Sequence, residues 1–249
     1  MTDLAVLAAG FGVIPLAAII LYTVTTRVLA YREAAWGFLA GVLGFLGVSH
    51  AMAVVLVNHS LLGDLVAATV LSFVGLAIGA GIAWLLLDGP FIQTEPNRIL
   101  WAAVAFLALH SFGDGLVLGG DFTGAFLPTL RLDAVTVTTT IAHRFAEGCL
   151  VVVPAIWAAW RPRPAFAVLF ASLASIPAAY APGWIFASFG FSPIPRALST
   201  FLAGMEATVG LMLLVRGFIP IAAADRGTRW PVWIAIGFIA VSLVHFFVE

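Results

Sequence analysis

Lysine is absent from this chain, and all eleven of its basic residues are arginine. That absence reads as coding bias and carries no functional argument. Charge of either sign is scarce: Asp, Glu, Lys and Arg make up 9% of 249 residues, against 63% hydrophobic residues and a mean hydropathy of +1.13. Such a balance excludes an ordinary soluble domain. With a formal net charge of −1, no nucleic-acid partner is expected. The lone cysteine, Cys149, excludes an internal disulfide and leaves the redox compartment open. The opening MTDLAVLAAG lacks both a basic n-region and an A-x-A cleavage pattern, so the first apolar segment is expected to be a retained helix.

What the chain has instead is apolar runs. A membrane-crossing helix needs about 20 mostly apolar residues. Reading between the Gly, Pro and Arg punctuation gives eight such stretches, near 4–25, 34–57, 65–87, 99–119, 134–160, 165–187, 195–216 and 230–248. The connections are short, the longest running over about 120–133. The expectation is an all-α polytopic protein, one transmembrane domain over 1–249 in a lipid bilayer, with no soluble appendage. Glycine-rich faces such as GLAIGAGIAW in the third stretch suit close packing, either within the bundle or between the protomers of a homodimer.

Basic residues concentrate in cytoplasmic loops. The connections after the odd-numbered stretches hold eight arginines, Arg27, Arg32, Arg98, Arg161, Arg163, Arg216, Arg226 and Arg229; the opposite side holds two, Arg131 and Arg196. This bias predicts both termini outside the cytoplasm, in the cell membrane. The outer side then carries Asp3, Asp64, Asp121, Asp133 and Glu249, either a face that gathers cations or a merely solvated loop surface.

Two segments break the apolar pattern in the same way. HSFGDG at 110–115 and HRFAEG at 143–148 both read H-x-F-x-[D/E]-G. Residues four apart on a helix lie on one face, so His110 pairs with Asp114 and His143 with Glu147. Two imidazoles and two carboxylates form a ligand set suited to Zn²⁺ and tolerable for Fe²⁺ or Mn²⁺. The bland alternative is a set of polar helix–helix contacts, but ionisable residues inside a membrane segment mark ion or proton pathways by default. Gly115 and Gly148, directly after the acids, let a helix or an ion approach the backbone.

These two motifs, on the fourth and fifth of eight stretches, resemble the ZIP family of divalent metal transporters, whose helices there read close to H-N-x-P-[D/E]-G and H-E-x-P-E-G. GVLGFLGVSH at 41–50 is similar to the family's second helix. The resemblance covers the whole topology, while its specific motifs occupy the second, fourth and fifth stretches. It implies an inverted-repeat bundle and transport of zinc, iron, manganese or cadmium through a site made by His110, Asp114, His143 and Glu147 near the bilayer midplane.

The chain departs from the family where relatives with two adjacent metals place their second-site ligands. Ser111, Arg144 and Ile176 stand where those relatives have Asn, an acid and Glu. A guanidinium is always charged, so Arg144 can supply the positive charge that a second ion would bring, which predicts a one-metal site. It can equally lock Asp114 and Glu147 into a structural salt bridge. Gly113 and Ala146 replace the family's prolines, so both helices are expected to be straighter, and the family's His-rich loop is replaced by LDGPFIQTEPNR.

Glu206, in the seventh stretch, has no basic neighbour in sequence and is either an additional ligand or proton acceptor or a structural glutamate. His50, late in the second stretch, either assists metal entry or packs; His59 and His245 read as unremarkable. Pro177 and Pro182 are expected to kink or interrupt the sixth stretch. Two further functions stay open. One is an intramembrane metal-dependent hydrolase, against which stands the lack of H-E-x-x-H. The other is a non-transporting sensor or degenerate transporter built on an Arg144–carboxylate network.

Overall fold

The computed structural model describes residues 15–52, 63–121, 134–190, 193–224 and 227–248. Every regular element among them is helical. Residues 15–23 form α1, followed by α2 (Thr25–Ala30), α3 (Arg32–Met52), α4 (Leu65–Leu87), α5 (Glu95–Asp121) and α6 (Ala134–Trp157). Next come α7 (Pro162–Leu173), α8 (Ser175–Ser188), α9 (Pro193–Leu213), a π-turn (Leu214–Phe218), α10 (Ile219–Ala224) and α11 (Trp230–Val248).

Among the described residues, four helical stretches are long and apolar enough to cross a membrane: Leu65–Leu87, Glu95–Leu116, Pro162–Ser188 and Pro193–Ala224. Trp230–Val244 is apolar but shorter. In the most apolar window of Leu65–Leu87 only 28% of residues are buried, against 56% in that of Glu95–Leu116. The helix that carries HSFGDG is therefore the most enclosed of the four, and α4 turns Val66, Val70, Phe73 and Trp84 outward.

Local chemistry sets the boundaries. Asp64 caps α4, its carboxylate accepting from the backbone N–H of Val66 (2.9 Å) and Ala67 (3.1 Å). Pro96 and Pro162 sit in the first turns of α5 and α7, where a missing N–H costs nothing. The stretch expected at 165–187 is interrupted at Ala174. Pro177 explains the place: its ring excludes the carbonyl four residues back, on Leu173, whereas Pro182 is accommodated inside α8. The stretch expected to stop at 216 runs on to Ala224 through the π-turn, where the Ile219 N–H reaches Leu214 five residues back, just ahead of Pro220. α5 and α6 pass unbroken through Gly113 and Ala146, as the lack of proline there predicts.

Three helix pairs dominate the packing: α4 with α9, α5 with α8 and α3 with α11. Helix α9 also packs against α5 and α3. Glycine makes the closest of these approaches. A side chain at Gly79 would collide with the Met205 backbone, and one at Gly115 with the Ile176 carbonyl. Gly75 and Gly79 of α4 are thus used inside the protein, and Gly115 admits a helix. Trp36 anchors the interior, edge-on to Trp157 (5.2 Å between ring centroids) and to Phe218 (5.1 Å).

Candidate metal centre

α5 contributes His110 and Asp114 one turn apart, α6 contributes Arg144 and Glu147, and α9 contributes Glu206. His110 Nε2 lies 2.8 Å from Glu147 Oε1 and 3.6 Å from Asp114 Oδ2. One ligand atom from each of these three residues falls within 4.8 Å of the others. Ligands about 2.0–2.2 Å from a tetrahedral zinc stand roughly 3.3–3.6 Å from each other; the His110–Asp114 separation matches that spacing, while His110 and Glu147 stand closer, at hydrogen-bonding distance.

The histidine is held from both sides. Its Nδ1 lies 2.8 Å from Glu206 Oε1, across 96 residues of sequence. Its ring stacks against Phe106, one turn earlier, with planes 2° apart and centroids 6.2 Å apart. His110, Glu147 and Glu206 are all buried, and Asp114, with a side chain 31% exposed, forms the more open edge of the cluster.

Arg144 closes the other flank. It donates from Nη1 to Glu147 Oε2 (2.8 Å) and from Nη2 to Asp114 Oδ2 (2.5 Å). Glu147 therefore divides its oxygens, one to the guanidinium and one to the imidazole. The Arg144–Glu147 pair was readable at i, i+3 spacing; the reach to Asp114, on another helix, places Arg144 over both carboxylates at once.

The remaining candidates separate. Ser111 is fully buried and its hydroxyl has no hydrogen-bond partner among the described residues. Ile176 belongs to the hydrophobic core and contributes packing. His143 and His50 lie on α6 and α3, but their side chains fall outside the described residues, as does that of His245; His59 and the 122–133 connection lie outside altogether. Glu206, left open between site and structure by its sequence, joins the site. Phe106 was not singled out, although its i−4 spacing from His110 was the available signal. The chain matches no protein-family model and no curated protein.

Proposed function

We propose that this protein carries a divalent cation across the membrane toward the cytoplasm, through a single-ion site held by His110, Asp114 and Glu147, with His143 as a fourth ligand from α6. Eight membrane crossings in a ZIP-like inverted repeat, with both termini outside the cell membrane, complete the proposal. Zinc, iron, manganese and cadmium are the candidate substrates. The observation that carries this reading is the convergence of one imidazole and two carboxylates within 4.8 Å on the most enclosed of the four long helices and its neighbour. Two carboxylates beside a single guanidinium leave a net negative charge in such an interior, which is costly, and a borderline divalent cation is the ligand that this nitrogen–oxygen set suits.

A second reading has an observation of its own. Arg144 already pairs with both carboxylates, so the cluster can also stand as a permanent ion network in a sensor or degenerate transporter. Flux separates the two. Purified protein in liposomes should show saturable uptake of at least one of Zn²⁺, Fe²⁺, Mn²⁺ and Cd²⁺; absence of flux and of binding for all four establishes the network reading instead.

A further inference from the structure

A divalent cation beside Arg144 meets a fixed positive charge that neither Asp114 nor Glu147 can offset while also serving the ion. Counting the ionised side chains makes the difficulty plain. Asp114, Glu147 and Arg144 together carry a net charge of minus one, so a bound divalent cation would leave a surplus of plus one in a buried site. Uncompensated charge in such surroundings is strongly unfavourable. One further carboxylate removes the surplus, and Glu206 is that group: it is buried, it comes from a third helix, and its Oε1 stands 2.8 Å from His110 Nδ1.

We propose that Glu206 is the positioning and charge-balancing residue that lets a divalent cation share the site with Arg144. This rests on the single-cation reading above. Two effects run through the same contact. A neutral imidazole that gives its Nε2 lone pair to a cation carries its proton on Nδ1, where the Glu206 carboxylate accepts it. Carboxylates in this position fix the ring and raise its strength as a ligand. Phe106 stacks on the face of the same ring. The negative charge of Glu206 at the same time offsets the guanidinium, so that the cation-loaded cluster is neutral. Nothing in the sequence around Glu206 pairs it with the two motifs. The packing of α9 against α5 makes the link.

The test is a double-mutant cycle read by Zn²⁺ titration calorimetry on the purified full chain in detergent. Glu206→Gln should weaken Zn²⁺ binding by about 10- to 100-fold, the range for loss of a carboxylate behind a metal-binding histidine. Adding Arg144→Gln to it should recover much of the loss, because the pair of substitutions restores the original charge balance. A merely structural glutamate predicts no such recovery. Wild-type binding with Glu206→Gln unchanged within about threefold overturns the inference and leaves the transport reading standing, as does a double variant no better than Glu206→Gln alone. Absence of Zn²⁺ binding by the wild type removes both. Should Glu206→Gln fail to yield monodisperse protein, Glu206→Asp, which keeps the charge, replaces it: binding within about tenfold of wild type supports the inference, and complete loss overturns it.

Discussion

Arg144 and Ser111 are neighbours of the two motif histidines in sequence, and they make opposite demands on the interior. Arg144 satisfies two carboxylates from different helices. Removing one partner of a buried ion pair costs about 3–5 kcal/mol because the other is left uncompensated. Arg144→Ala should therefore lower the unfolding midpoint of cation-free protein sharply, and saturating Zn²⁺ should restore most of the loss, as followed by thermal unfolding in detergent with and without the ion. Destabilisation without any rescue by Zn²⁺ would mean that the carboxylates are not available to a cation. Ser111 buries a hydroxyl that finds no partner among the described residues, so Ser111→Ala should stabilise the fold by up to about 1 kcal/mol. At the two motif histidines, His110→Ala and His143→Ala should each abolish uptake in liposomes while the protein stays folded. The pairing of His110 with Asp114 was legible in sequence because the two lie one turn apart, a relation that α-helical periodicity alone guarantees. Glu206 was a candidate in sequence, but its tie to His110 was not legible, because the two are 96 residues apart and only the packing of α9 on α5 brings them together.

Helix positions followed from hydropathy, but helix ends and interruptions depended on backbone hydrogen bonding that hydropathy does not register. The break at Ala174 and the π-turn at Leu214–Phe218 both precede a proline whose missing N–H forces the rearrangement. Pro177 was recognised as an interrupter; Pro220 was an available signal left unused. At the end of α6 the chain turns through Ala159 in a left-handed conformation (φ 56°). Its N–H donates to Ile156 (3.0 Å) and that of Trp160 to Ala155 (2.9 Å), the pairing of a Schellman motif. Glycine is the usual residue there, and Ala159→Gly should stabilise the protein by about 1 kcal/mol, seen as a higher unfolding midpoint. The α4 glycines supply a matched comparison. Gly79 faces the Met205 backbone, whereas nothing stands within 4 Å of a side chain built on Gly81. Gly81→Ala should thus gain about 0.5–1 kcal/mol from helix propensity, while Gly79→Ala should lose about 1–3 kcal/mol from overpacking. Equal effects at both sites would show that α4 does not pack on α9 through Gly79. The sequence displayed a glycine-rich face without showing which glycines touch a neighbour, since that depends on how the helix is rotated.

For the whole molecule, the arginine bias in sequence and the tertiary contacts describe one end of the same bundle. Arg98 donates to the carbonyl of Ile92 (2.7 Å), Arg216 pairs with Asp88 (2.8 Å), the Arg229 N–H donates to Glu33 (2.6 Å), and the Trp160 indole donates to Asn97 (2.8 Å). Tyr22 reaches the Trp160 carbonyl from α1 (3.3 Å), and Arg32 lies 5.4 Å from the centre of the Trp157 ring. These contacts therefore tie together connections and helix ends and involve six charged residues, Arg32, Glu33, Asp88, Arg98, Arg216 and Arg229. Such contacts suit a membrane–water boundary, and the proposed topology, built on the excess of arginine, puts them on the cytoplasmic side. The topology that follows can be tested by labelling, because Cys149 is buried and gives a quiet background. Gln93 is exposed at the arginine-bearing end and Ser188 is exposed at the far end of α8. In intact cells a membrane-impermeant maleimide should label Ser188→Cys directly and Gln93→Cys only after permeabilisation. The reverse pattern would invert the protein in its membrane and turn the direction of cation flow outward; labelling of both without permeabilisation would place the two ends of α8 and α4 on one side and remove the spanning arrangement on which the transport reading depends.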